Sequence, residues 1–216
     1  MDLFPEAQRA GAAQALGTRE LTFRGRSADP LAPPARVTVA EAFATFAGID
    51  LMATLQGGAV DRQALAQLAE RAAIRVAADD SWSDIFSKIL VDRVEPHLGL
   101  GRATILCDYP RPEAGWARLS GTNPEVAERF ELYACGVELA NGFGELIDSG
   151  EQRRRFEEAM GERHRIYGES YPLDEALLLA LDNMPPASGV AFGIDRLLML
   201  LTGASRVSDV IWAPLE

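Results

Sequence analysis

Two cysteines and two histidines are all that 216 residues offer, and that scarcity removes several chemistries at once. Cys107 and Cys135 are too few and too far apart for a disulfide framework or a thiolate zinc site. Neither His97 nor His164 has a metal-ligating neighbour at useful spacing. Long apolar runs are missing too. The stretch Leu197 to Leu201 falls far short of the ~20 residues that cross a bilayer, so no membrane association is expected. The start, Met1-Asp2-Leu3-Phe4-Pro5-Glu6, lacks the basic and apolar regions of a signal peptide, and the expected location is the cytoplasm. Positive charge is also short: 21 Lys and Arg against 32 Asp and Glu leave a formal net charge of −11. Such a field repels phosphate backbones, so direct nucleic-acid binding is not expected. Arg153-Arg154-Arg155 is the one short basic cluster and reads as a solvated helix face, because nucleic-acid patches run to roughly 5–8 residues.

What is present is an ordinary globular balance, 48% hydrophobic and 25% charged, enough for one sizeable domain or two small ones. Residues 6–16 are alanine-rich and helix-compatible. Residues 24–36 gather Gly25, Ser27, Asp29, Pro30, Pro33 and Pro34 and read as a loop or linker. Thr38 and Glu41 have capping-box spacing ahead of Val39, Ala42, Phe43 and Phe46, and Gly48 ends that helix. A second helix opens at Asp61 with Leu65, Leu68 and Ala72 on one face. A third runs from Ser83 to about Glu95, with Ile85, Ile89, Leu90 and Val94 inward. From Ala103 the pattern changes to a short apolar strand ending at Asp108-Tyr109-Pro110. Two strands then flank a turn at Cys135-Gly136 within 129–146. Helices follow from Asp148 to about Tyr167, with Phe156 and Met160 inward, and from Asp174 to Asn183. A strand from Ser188 to Ile194 leads into a last helix that Asp195 can cap. Helices first, then antiparallel strands mixed with helices, give an α+β fold.

The ribbon carries the first candidate chemistry. With Cys135 and Gly136 as turn residues, Glu138 faces Tyr133 and Glu131 faces Ala140, so both glutamates share one face as diagonal neighbours within roughly 7–8 Å. Two carboxylates in one place repel unless a cation or proton intervenes. A magnesium ion carrying phosphates resolves the conflict; a solvated strand with both groups hydrated is the plainer alternative. Asn141, Phe143 and Glu145 also alternate onto one face. An amide, an aromatic wall and a carboxylate suit a ligand with an aliphatic stem and an ammonium group. Glu138 has the opposite parity from Asn141, so a shared cavity requires a bulge near Ala140 to Gly142. In Ser188 to Leu197, small residues on a strand allow close approach of a flat ligand, and Arg196 in the next helix can clamp phosphate. Tight strand–helix packing with a surface arginine is the bland alternative.

Taken together and in order, Glu128-Arg129-Phe130-Glu131-Leu132-Tyr133, Glu138 to Leu146 and Gly189 to Arg196 resemble class II lysyl-tRNA synthetases. Gly189-Val190-Ala191-Phe192-Gly193-Ile194-Asp195-Arg196 is similar to the third signature motif of that class. The resemblance implies an antiparallel sheet flanked by helices, with ATP bent over it, Mg2+ bridging the phosphates, and a lysine carboxylate attacking the α-phosphate to form an aminoacyl-adenylate. It implies that Glu131 and Glu138 sit at the metal, that Glu131, Leu132, Gly193 and Arg196 line the ATP site, and that Glu138, Asn141, Phe143 and Glu145 hold the amino acid. Arg196 braces the triphosphate as the catalytic arginine.

Within the family, Cys107-Asp108-Tyr109-Pro110, Glu113 to Leu119, Tyr171 to Glu175 and Met184 to Ala191 are similar to the short paralogue that aminoacylates a lysine of elongation factor P. Ala191 stands where the tRNA enzymes keep glycine. The likeness covers residues 85–216 most closely, 37–84 less so, and is faint before that. Residues 1–36 are accordingly treated as an N-terminal segment and linker, and 37–216 as the C-terminal part of a class II catalytic domain.

No Phe-Arg-x-Glu element and no candidate strand pair is read before residue 37. The first two signature motifs are therefore expected to be missing, and the chain to be incomplete for catalysis alone. The expected activity is an ATP-dependent lysine-activating ligase acting on elongation factor P, with a separate N-terminal half or a homodimer partner. A non-catalytic interaction module and a fragment of a tRNA-charging enzyme are the alternatives.

Overall fold

The computed structural model describes residues 20–213 together with Ala15 and Gly17. Apart from Ala15, the helix expected over 6–16 lies outside the described residues. The chain begins with strands. β1 (Leu21–Phe23) turns at Arg24 and Gly25, whose φ angles of 47° and 77° are both positive, into antiparallel β2 (Arg26–Asp29). β3 (Ala35–Thr38) follows after the prolines. This corrects the expectation of a linker over 24–36 with no strand pair before residue 37. The prolines occupy only the connection between β2 and β3, while Leu21 and Ala28 point into a core.

The helical layer follows the sequence closely. Thr38 and Glu41 form the reciprocal cap of α1 (Val39–Ala42), with Glu41 N donating to Thr38 Oγ1 at 3.1 Å and Thr38 N donating to Glu41 Oε2 at 2.9 Å. The helix widens over Phe43–Ala47 and stops at Gly48, whose φ is 68°. β4 (Leu55–Gln56) and β5 (Ala59–Val60) make a small ribbon before α2 (Arg62–Arg71), which Asp61 caps. α3 (Trp82–Ile89) starts one residue earlier than expected because Ser81 and Asp84 form its capping box, and it continues through a wide turn over Leu90–Val94. Phe43, Phe86 and Trp82 stack at 5.0 and 5.5 Å between ring centres. The buried Trp82 indole donates to Thr54 Oγ1 at 3.1 Å, so its polar atom is not stranded.

β6 (Gly101–Arg102) runs parallel to β2. The main sheet contains β7 (Thr104–Pro110), β8 (Val126–Ala134), β9 (Val137–Gly144) and β10 (Ser188–Phe192), in the order β10-β9-β8-β7-β3. All neighbours are antiparallel except β3 with β7. Between β9 and β10 lie α4 (Ser149–Tyr167) and α5 (Glu175–Leu181); α6 (Ile194–Thr202) ends the fold. One sheet face meets the helical layer through Leu106, Tyr109 and Tyr133. The other buries Leu132, Ala134 and Ala140 against Leu197, Met199 and Leu200 of α6 and Leu21 of β1. At about 1.5–3 kcal/mol for each fully buried large apolar side chain, these two cores fix the sheet on both sides, and the part of the helix-side face left uncovered is where the polar residues collect. Both cysteines are free and buried. No helix among the described residues is long and apolar enough to cross a membrane. The fold is mixed helix and sheet, dominated by antiparallel pairing.

Candidate active site

Cys135 and Gly136, with φ of 55° and 74°, form the expected two-residue turn, and their N–H groups donate to Gly99 O and Leu98 O at 2.7 and 2.9 Å. Glu138 pairs with Tyr133 as expected, but the next pair is Leu132 with Ala140. Leu139 is therefore an extra residue, and the expected pairing of Glu131 with Ala140 is replaced by Glu131 with Asn141. The bulge precedes the window expected for it. Leu139 is itself 1% exposed and fills the α6-side core, so burial of its side chain holds the bulge without a glycine. The consequence is a change of parity: Arg129, Glu131, Tyr133, Glu138, Asn141 and Phe143 all fall on the helix-side face. β10 adds Gly189 opposite Phe143 and Ala191 opposite Asn141.

Glu131 is 6% exposed and held from both sides. Arg129 Nη2 donates to Oε1 at 2.6 Å and Tyr133 OH donates to Oε2 at 2.7 Å. The Arg129 guanidinium lies 4.3 Å from the centre of the Tyr109 ring and 5.8 Å from that of Phe143, and Nη1 donates to Glu113 O at 2.7 Å. Glu95 reaches in from the end of the helical layer, with Oε1 3.2 Å from Tyr133 OH. Burial raises the Glu95 carboxyl above its usual range, and the charges of Glu131 and Glu138 push the same way. Burial likewise raises the Tyr109 phenol, with Glu131 adding to it. The Tyr133 phenol, also buried, is raised in the same direction. Arg196, in the first turn of α6, donates from Nη1 to Glu138 O at 2.9 Å and to Glu138 Oε2 at 3.2 Å. Gly193, not Asp195, is the residue that opens this helix, and no side chain caps it; Asp195 lies two positions past the cap, already inside the first turn.

Glu145 stands at the open end. A methyl built on Gly189 would lie 2.5 Å from Glu145 Oε1, so the carboxylate occupies the space that the glycine leaves. Among the described residues the Glu145 side chain makes no hydrogen bond or ion pair. Asn141 Oδ1, Tyr109 OH and Arg129 Nε are buried without partners. Buried polar atoms are costly unless paired, so an acceptor, a hydroxyl and a free carboxylate around the Phe143 wall are what a cationic, hydrogen-bonding ligand would satisfy.

Of the residues singled out from sequence, Glu131, Glu138, Asn141, Phe143, Glu145 and Arg196 converge on this face. Gly193 lies beneath Arg196, where a methyl would stand 3.4 Å from Arg196 Cδ. Leu132 does not join them: its side chain is 2% exposed in the opposite core, leaving only its backbone near the face. Arg129, Tyr133, Tyr109 and Glu95 were not anticipated. The first two share the parity of Glu131, which is the signal that could have found them.

Among the described residues no cluster of three His, Cys, Asp or Glu is arranged to hold a metal ion. The donor set is two carboxylates: Glu131 takes a hydrogen bond on each oxygen, from Arg129 and Tyr133, and Glu138 takes one from Arg196. That suits a magnesium ion delivered with phosphates, which takes one or two protein carboxylates, and not a resident metal in a closed cage. The basic cluster is internally paired: Arg153 with Glu175, Arg154 with Glu151 and Glu158, and Arg155 with Glu151.

A mixed fold whose sheet is dominated by antiparallel pairing and flanked by helices is consistent with a class II synthetase domain, and the sequence agrees. The family model described as tRNA synthetases class II (D, K and N) matches residues 60–216, and the chain belongs to that family. It is 38% identical over 219 aligned residues to a lysine-tRNA ligase of Moorella thermoacetica, covering 99% of this chain and 42% of that protein. It is 42% identical over 157 residues to an elongation factor P-(R)-beta-lysine ligase of Proteus mirabilis, covering 71% of this chain and 48% of that one. A ligase of the same name from Edwardsiella ictaluri is 50% identical over 119 residues. The chain thus spans less than half the length of these curated relatives.

Proposed function

We propose that this chain supplies the amino-acid end and part of the nucleotide end of an ATP-dependent ligase that activates lysine or a β-lysine. In this reading Glu145 pairs with the side-chain ammonium, Phe143 packs on the methylenes, and Asn141 Oδ1 accepts from the ligand's polar end. Arg196 braces the triphosphate, and Glu131 and Glu138 hold the phosphate-bound magnesium, which would neutralise charge as it develops. The lysine carboxylate oxygen bonds to the α-phosphorus as the bond to the β-phosphate oxygen breaks and pyrophosphate leaves. An acceptor amine then attacks the activated carbonyl, loses its proton and releases AMP, leaving an amide.

The observation that carries the reading is the single bulge at Leu139, which turns Glu131, Glu138, Asn141 and Phe143 to one face. The favoured acceptor is elongation factor P, which the names of the higher-identity relatives carry, with a lysine side chain as the acceptor amine in this reading. The exposed methyl of Ala191 beside Asn141 also fits a pocket that differs from a glycine-lined one. Acceptance by tRNA is the second reading, because a lysine-tRNA ligase aligns along 99% of the chain.

Attack at the α-phosphate calls for a second cation besides Arg196, whose guanidinium also serves Glu138; loss of one such donor elsewhere costs roughly 10²–10³ in rate. We therefore place that cation on a partner segment corresponding to the rest of the relatives' length. Lysine-dependent ATP–pyrophosphate exchange, with the chain alone and with such a segment added, tests this. Exchange only with the segment is expected, followed by transfer to elongation factor P in preference to tRNA. Absence of exchange and of adenylate-analogue binding in both mixtures would reduce the chain to a non-catalytic module.

A further inference from the structure

A cleft of about 660 Å3 lies away from the ribbon face, between the β4–β5 ribbon, the turn after β7 and α4. Three arginines line it, and they are not equivalent. Arg154 and Arg155 both pair with Glu151, at 2.8 and 2.9 Å, and the hydrogen bond from Arg154 first of all pulls the Glu151 carboxyl down to about 2. Arg155 also donates to the carbonyls of Gly115 and Ala117 at 2.9 and 2.8 Å, fastening the turn to α4. Arg111 differs. Its guanidinium lies over Gly58, where a methyl would stand 2.9 Å from Nη1, and its side chain makes no hydrogen bond or ion pair among the described residues.

Two further features set the chemistry of an occupant. Trp116 is 45% exposed, with Phe156 edge-on to it at 5.4 Å. Gln152 is 2% exposed and its Oε1 has no partner. One free guanidinium calls for one anion, the indole for an apolar group, and the amide oxygen for an N–H donor. A polypeptide with an acidic residue beside an apolar one supplies all three. A nucleic acid does not, since a phosphate backbone needs several unpaired cations and Arg111 is the one arginine of this cleft without a partner among the described residues.

The cleft shares a wall with the candidate active site. Leu146 N donates to Trp116 O at 3.0 Å and Arg118 N donates to Gly144 O at 2.8 Å, so the turn carrying Trp116 is bonded to the backbone on either side of Glu145. We infer that this cleft docks an acidic, apolar-flanked segment of the protein that accepts the activated amino acid. The acceptor part of this inference rests on the ligase reading above; the peptide site does not.

The test is fluorescence anisotropy on the full chain with a labelled peptide alternating glutamate and leucine, its glutamine counterpart, and a labelled single-stranded RNA. Arg111→Ala, Trp116→Ala and a control, Arg165→Ala, are compared after thermal melts establish that each is folded. The glutamate peptide should bind, with affinity about tenfold weaker in Arg111→Ala and for the glutamine peptide, unchanged in Arg165→Ala, and displaced by elongation factor P. Failure of the peptide to bind, indifference to Arg111→Ala, or equal RNA binding sensitive to the same variants overturns the site. Peptide binding without displacement by elongation factor P overturns the acceptor assignment. A lysyl-adenylate analogue titrated in parallel tests the ligase reading separately.

Discussion

Gly142 and Gly189 sit on neighbouring strands, one register position apart, yet substitution should affect different properties. A methyl on Gly189 meets only the flexible end of Glu145, with Oε1 at 2.5 Å and Cδ at 3.7 Å, and the site has no unusual φ. The carboxylate must swing aside, but no backbone need move, so the stability change in Gly189→Ala should stay within about 0.5 kcal/mol. If Glu145 pairs with the ligand ammonium, its displacement forfeits a charge-assisted bond worth about 1.5–3 kcal/mol, or roughly ten- to 150-fold in affinity. Gly142 faces the other way. A methyl there strikes the Phe130 ring, with Cζ at 2.6 Å, and stands 3.1 Å from Gly189 O. Gly142→Ala should therefore cost about 1–3 kcal/mol of stability through overpacking, with lysine affinity kept in the folded fraction. Urea unfolding and calorimetric titration with lysine and a lysyl-adenylate analogue measure both quantities. Equal ligand affinity in Gly189→Ala and wild type, in a protein that binds the analogue, would refute the role given to Glu145.

Glu131→Ala leaves Arg129 without its 2.6 Å partner in a site where the carboxylate is 6% exposed, so a loss of about 3–5 kcal/mol is expected in denaturant unfolding. Gly99→Ala combines a φ of +71° with a clash against the Ala134 backbone, N at 2.7 Å; it should lower the unfolding free energy by more than about 3 kcal/mol, read in the same denaturant unfolding. Glu95 gives a pH test. Its raised carboxyl binds a proton in the folded state at a pH where the unfolded chain has released it, so its contribution is present at low pH and lost as pH rises through the raised value. Glu95→Gln keeps an acceptor oxygen for the Tyr133 hydroxyl and should raise the thermal midpoint near about pH 8 with little change near about pH 4; an equal shift at both would show that charge is not the cause.

Much of this arrangement was written in local patterns. The reciprocal caps at Thr38 and Ser81 and the two positive φ angles at Cys135 and Gly136 are short-range effects, set by residue type and spacing within four residues. Convergence of the glutamates with Asn141 and Phe143 was legible only as a condition, that a bulge must exist. A glycine at 142 points to a bulge there, but that glycine makes room for Phe130, and the bulge belongs to a leucine whose side chain the core accepts. The β1–β2 hairpin was hidden by the prolines beside it, which dominate composition without entering the strands. Glu95 could not have been foreseen, since it meets Tyr133 across 38 residues of chain through the packing of the helical layer.

The extra leucine of β9 also makes the ribbon sensitive to length in a way that ordinary substitutions are not. Deleting one residue between Glu138 and Asn141 would rotate everything downstream on that strand by half a turn. The amide and the phenyl ring would be driven into the oily layer under α6, while the small residues now buried there would face water. The recognition groups would then all be lost together, from a change that alters none of them chemically.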